Sequence, residues 1–188
     1  MASTAFRLED TVTNRGDAEQ EFELIYHVNF GPPLLEAGAR FLGAVKKVTP
    51  ANESAAAELS GYAEYLGPTP GFVEQVYWME PVAGRDGRTI ALLRNANGDL
   101  GVSMTYQPSQ LPCFTLWKNT NTRAEGYVTG LEPGTSYPNN RRVERAAGRI
   151  PKLKEEAKAA ALRSTSLCTP PGEVDQAEED RLALQSGS

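Results

Sequence analysis

Apolar residues in this chain come in short runs cut by glycine, proline and asparagine, and that punctuation constrains the fold more than any other feature. Runs of about 5 to 9 residues bounded by turn formers suit strands, because a strand crosses a small domain in that length while a helix needs more. With 17 glycines and 13 prolines in 188 residues, no long helical periodicity develops before the C-terminal end. The expected strands are Phe6 to Thr13, Phe22 to Val28, Phe41 to Thr49, Glu74 to Met79, Thr89 to Arg94, Leu100 to Tyr106, Cys113 to Lys118, Tyr127 to Leu131 and Arg142 to Ile150. The expected class is therefore all-β.

Local signals refine this. In "RNANGDLGV", Asn97-Gly98 accepts the positive φ angles of a tight turn and lies between two β-prone runs, which predicts a hairpin over Thr89 to Tyr106. "LKEEAKAAALR" favours helix on propensity, yet Leu153 to Leu162 is expected to be strand if tertiary pairing prevails. The tail offers Thr169 as an N-cap, Pro170 at the first helical position and early acidic residues, predicting a short amphipathic helix from about Pro171 to Leu184.

The composition, 40% hydrophobic and 23% charged, suits one domain over residues 1–185 with a disordered tail at 186–188. A net charge of −5 argues against nucleic acid or an anionic membrane as partner, since both require basic patches. No apolar run approaches the ~20 residues of a membrane span, and the start lacks a leader pattern, so a cytoplasmic location is expected. Cys113 and Cys168 are far apart without CxxC spacing; each reads as a buried free thiol, and no metal site is expected.

The chain's one histidine, His27, falls in "LIYHVNFGPP". Alternation places it opposite Phe22, Leu24, Tyr26 and Val28, on one face with Asn29. In "GYVTGLEPGTSYPNNRR", Glu132 comes just before Pro133-Gly134. Both residues are expected where a strand runs out into a turn, a rigid rim for reactive side chains. An imidazole that titrates near neutrality can give a proton while an ionised carboxylate takes one. The plainer reading is that a lone histidine on a strand is a hydrogen-bonded surface residue and a Glu before Pro-Gly a solvated turn residue.

"DTVTNRG…LIYHVNFGPPLLEAGARF", "GFVEQVYW", "LPCFTLWK" and "GLEPGTSYPNNRR…GRIPKL" resemble, in order and spacing from about Leu8 to Leu153, the bacterial aldose 1-epimerase-like proteins of the galactose mutarotase superfamily. The resemblance implies a large antiparallel β-sandwich that binds a monosaccharide and needs no metal or organic cofactor. It implies that His27 acts as general acid toward the ring oxygen and Glu132 as general base on the anomeric hydroxyl. Asn29, Glu74, Trp117 and Lys118 would then line the sugar pocket, Trp117 by stacking on a pyranose face. Arg141 and Arg142 are loop cations that would suit a sugar phosphate, but an exposed loop charge is the plainer expectation.

In that family the segment resembling "LEDTVTN" follows a substantial block of strands, so the sandwich is expected to be N-terminally incomplete here, with uncovered sheet edges that favour self-association. Two other functional classes stay open beside an isomerase: a carbohydrate-binding module without turnover, and an inactive truncated homologue.

Overall fold

The computed structural model describes residues 5–168 and 171–186. Two five-stranded sheets form the body. The first runs β1 (Ala5–Thr13), β12 (Lys158–Cys168), β8 (Gly101–Tyr106), β7 (Thr89–Arg94), β4 (Arg40–Gly43). The second runs β3 (Val28–Phe30), β10 (Tyr127–Gly134), β9 (Cys113–Thr120), β6 (Gln75–Pro81), β5 (Val45–Pro50). All the pairings are antiparallel, and a small ribbon joins β2 (Gln20–Glu21) to β11 (Lys152–Leu153). The fold is the expected antiparallel β-sandwich with a C-terminal helix.

Alternation along the strands builds the core. Phe41, Leu93 and Met104 of the first sheet cluster with Tyr77, Met79, Phe114, Leu116 and Leu131 of the second. Phe114 stacks on Phe41 at 5.5 Å between ring centroids and on Tyr106 at 6.1 Å, geometry that adds to the burial of the rings. Strand β7 reads as one continuous apolar stretch because it is covered twice: α3 (Pro171–Ser186) lays Val174 and Ala177 against Ile90, Leu92 and Cys168 on its outer side.

The predicted hairpin forms with Thr89 opposite Tyr106, although its connection is wider than a two-residue turn. Gly98 takes φ 74° while Asn95 Oδ1 accepts from the amides of Gly98, Asp99 and Leu100, so one side chain organises the loop. Leu153 to Leu162, expected as strand against propensity, is strand only in part: Leu153 ends β11, residues 154–157 turn with Ala157 N donating to Lys154 O at 3.1 Å, and from Lys158 the chain is β12, bracketed by β1 and β8. The expected capping roles of Thr169 and Pro170 lie outside the described residues. Both cysteines are buried free thiols.

Three expectations are corrected. Phe41 to Thr49 is two strands in different sheets, parted at Ala44, where the chain crosses the sandwich. Phe22 to Val28 is not one strand: only an isolated bridge at Ile25 precedes β3, so His27 sits before a strand rather than at the end of one. Arg142 to Ile150 contains α2 (Arg141–Ala146) instead of a strand. Asn140 caps it by accepting from Arg142 N, Glu144 is drawn into the interior by Arg149 at 2.7 and 2.8 Å, and Gly148 at φ 71° follows the helix. A short helix, α1 (Glu53–Ala57), capped by Asn52, was unanticipated.

Candidate active site

The second sheet has one face in the core and one turned away from it. Register assigns residues to each face, since directly opposed residues in antiparallel strands point the same way. Asn29, Gly130 and Trp117 form one cross-strand row on the outward face, continued by Val76. The next row holds Glu132, Thr115 and Trp78, and His27 extends it one step beyond the Leu131–Val28 pair.

Pro133 explains the local break. Proline has no N–H, so opposite Tyr26 only one ladder bond forms, Tyr26 N to Pro133 O at 3.0 Å, and the regular pairing of β10 with β3 ends at Val28 short of the Ile25–Gly134 bridge. His27 lies in that gap. Its Nε2 is 3.0 Å from Glu132 Oε1, with the imidazole 51% exposed and the carboxylate 3% exposed. Glu132 is therefore inside a strand that runs on through Gly134, not at the strand end that the sequence suggested.

Glu132 Oε1 is buried and, despite that short contact, receives no aligned hydrogen bond among the described residues. Burial raises the Glu132 carboxyl above the usual carboxylate range, and His27 opposes that rise only in part. Gly130 makes room for the pair. A Cβ at that position would collide with Glu132 Oε1 and come within 3.3 Å of His27 Cε1.

Trp117 is half-buried and meets the His27 ring edge-on, with centroids 5.7 Å apart and planes at 62°. Its Nε1 donates to Glu74 Oε2 at 2.9 Å. The structure thus gathers His27, Asn29, Glu74, Trp117 and Glu132 on one face. Lys118 stands apart, because the residue after Trp117 in a strand points the other way. It is 4% exposed on the core side, donating to the carbonyls of Tyr62 at 3.0 Å and Glu64 at 2.7 Å. Arg141 pairs with Glu23.

Sequence reasoning missed Gly130. An isolated glycine inside "YVTGLEP" was the available signal, since glycine in a strand interior marks close approach by another group. A cavity of about 690 Å³ lies elsewhere, lined in part by Phe22, Pro112, Tyr137, Arg149 and Ile150. Its Arg149 is already paired with Glu144, whereas the unmatched Glu132 carboxylate is on the outward face of the second sheet. Among the described residues no group of three or more His, Cys, Asp or Glu side chains could hold a metal, and no helix is long and apolar enough to cross a membrane.

This architecture is that of the galactose mutarotase-like β-sandwiches. A Klebsiella pneumoniae protein provisionally named an aldose 1-epimerase is 39% identical, with a TM-score of 0.96 over 97% of this chain and 48% of that one. A galactose mutarotase-like protein from Clostridium acetobutylicum is 15% identical, with a TM-score of 0.59 over 87% of this chain and 52% of that one. An Escherichia coli protein provisionally named an aldose 1-epimerase is 16% identical, with a TM-score of 0.54 over 88% and 57%. This chain thus spans about half the length of these relatives. The chain belongs to the family described as a domain of unknown function, DUF4432, whose model matches residues 1–165. No curated protein matches it.

Proposed function

We propose that the chain carries the acid–base centre of an aldose 1-epimerase-like isomerase, with a monosaccharide as substrate. The observation that carries this reading is the buried Glu132 carboxylate, its Oε1 without an aligned donor and 3.0 Å from His27 Nε2. A buried carboxylate of raised basicity is suited to take a hydroxyl proton, and an adjacent imidazolium to return one. The names of the structural relatives point the same way.

In the proposed reaction Glu132 removes the proton of the anomeric C1 hydroxyl. The C1–O5 bond breaks, its electron pair stays on O5, and O5 takes a proton from His27. The open-chain aldehyde rotates about C1–C2. Attack of O5 on the other face of the carbonyl, with both proton transfers reversed, yields the other anomer. The sugar would take the place of the direct His27–Glu132 contact, above the space left by Gly130 and beside Asn29 and Trp117.

The openness of this face, with His27 half exposed, equally favours a second reading, sugar binding without turnover. Polarimetry on freshly dissolved α-glucose and α-galactose separates the two. Acceleration above the buffer rate supports the isomerase, whereas saturation-transfer contact with sugar but a background rate supports the binding module.

A further inference from the structure

A line of contacts leads away from His27. Glu74 immediately precedes β6, and its backbone carbonyl accepts from Asn52 Nδ2 at 2.9 Å and Ser54 Oγ at 2.5 Å. Asn52 is itself anchored, its Oδ1 accepting from Ala55 N at 3.1 Å as the cap of α1 and from Val76 N at 3.4 Å. From this clamped backbone the Glu74 carboxylate reaches across to Trp117 Nε1 at 2.9 Å, and the Trp117 ring meets His27.

An indole on an open sheet face can turn about two side-chain bonds, and one charge-assisted hydrogen bond at its far end selects among those rotamers. His27 is half exposed, and its ring is contacted by Glu132 on one side and Trp117 on another. We propose that Glu74 is a positioning residue: it accepts the Trp117 indole N–H, fixes that ring against His27, and so sets the imidazole opposite Glu132. Glu74 then serves the site through Trp117, rather than by touching sugar. The inference rests on the acid–base reading only for its kinetic consequence; the geometry is tested separately.

Because His27 is the chain's one histidine, its ring C–H signals identify themselves in an NMR spectrum. The ring current of Trp117 should displace them from the values of a free imidazole. Glu74→Ala is expected to remove most of that displacement, while Glu74→Gln, whose amide oxygen still accepts the N–H, restores it. In a Trp117→Phe background there is no N–H to hold, so Glu74→Ala should add nothing further. In mutarotation, Glu74→Ala should lower kcat about 10-fold at nearly constant KM, since small misplacements of reacting groups carry large rate penalties, and Glu74→Gln should recover most of the loss.

Unchanged His27 signals in Glu74→Ala would overturn the proposal. So would a Glu74→Gln variant as impaired as Glu74→Ala, or a raised KM at unchanged kcat, which would make Glu74 a direct sugar ligand. If the NMR pattern appears but the unaltered chain does not speed mutarotation, the positioning role stands and the isomerase reading fails.

Discussion

Neighbouring strands of the second sheet bury two opposite charges on opposite faces, Lys118 at 4% exposure and Glu132 at 3%. Burying a charge costs several kcal/mol unless partners replace the lost water. Lys118 has those partners: two backbone carbonyls and the rings of Tyr65 and Tyr77, 4.8 and 6.0 Å from its Nζ. Even so, burial pulls its pKa down to about 8, with the charges of Glu58 and Glu64 working the other way. Glu132 has far less, since Oε1 lacks an aligned donor and burial is the leading influence on its carboxyl. A buried charge with its hydrogen-bonding capacity filled ties elements together. One left unfilled stays available to an incoming hydroxyl.

The sharpest break of that contrast is to remove the unfilled charge. Glu132→Gln and His27→Asn should each lower mutarotation by about 10² to 10⁴, the usual worth of a positioned acid or base, and polarimetry measures it directly. Stability should move differently. A carboxyl raised in the folded state stabilises only while it is protonated, so the unaltered chain loses stability as pH rises from the unfolded value near 4.5 through the raised folded value. Glu132→Gln has no such charge to bury. Thermal melts across pH 4 to 8 should therefore show it gaining on the unaltered chain as pH rises, and a constant gap would contradict the assignment.

Gly130→Ala attacks the same carboxylate without changing its chemistry. The added Cβ falls on Glu132 Oε1 and close to His27 Cε1, so the carboxylate must shift. A displacement on the order of 1 Å at a reacting group costs about 10²-fold in rate, and overpacking should lower stability by about 1 to 3 kcal/mol. Mutarotation at the unaltered rate would show that Glu132 moves aside freely and that the glycine is not needed for it.

The same comparison marks how far the sequence could be read. Alternation in "FTLWKN" separates Trp117 from Lys118, because adjacent residues in a strand face opposite ways; pairing both with the sugar overlooked that rule. His27 and Glu132 were legible by chemical type, but their contact depends on the register that sets one opposite the other and on the space above Gly130, which only the pairing of β3 and β10 reveals. Most strands were legible because their runs are bounded by turn formers. The exchange of sheets at Ala44 was marked only by Gly43, a single glycine inside an otherwise continuous β-prone run, and that signal was passed over. Helix α2 could have been found from Asn140 and Gly148, its start and stop signals, but the partner of the buried Glu144 is Arg149, which the chain brings back only after the helix has ended.

Lys118 gives the structural half of the contrast its own test. With the folded value near 8 and the ordinary lysine value 10.5, the unfolded chain holds the proton more tightly between them, so this group makes stability rise with pH over that window. The stability of the unaltered chain relative to Lys118→Met should therefore grow between pH 8 and 10.5, by up to about 3 kcal/mol at 1.36 kcal/mol per pKa unit. Taking the difference between the two proteins removes the opposing contribution of Cys113, whose pKa burial raises in both. Parallel curves would mean that the ammonium is better solvated than its carbonyl cradle implies.

The smallest effect is expected where the cation is half exposed to water. Arg141 reaches Glu23 Oε2 at 2.5 Å, with the arginine side chain 52% exposed. Exposed pairs contribute about 0 to 1 kcal/mol, because water already solvates both ends and two long side chains lose freedom. Arg141→Gln should thus shift the melting temperature little, and the shift should shrink with added salt, which screens solvent-facing charges over a Debye length of about 8 to 10 Å. If Arg141 instead held a sugar phosphate, adding a hexose phosphate would stabilise the unaltered chain and lose that effect in Arg141→Gln. Salt-sensitive melts without any such ligand effect would leave Arg141 as the solvated counterpart of Lys118: the same sign of charge, set apart from it by water alone.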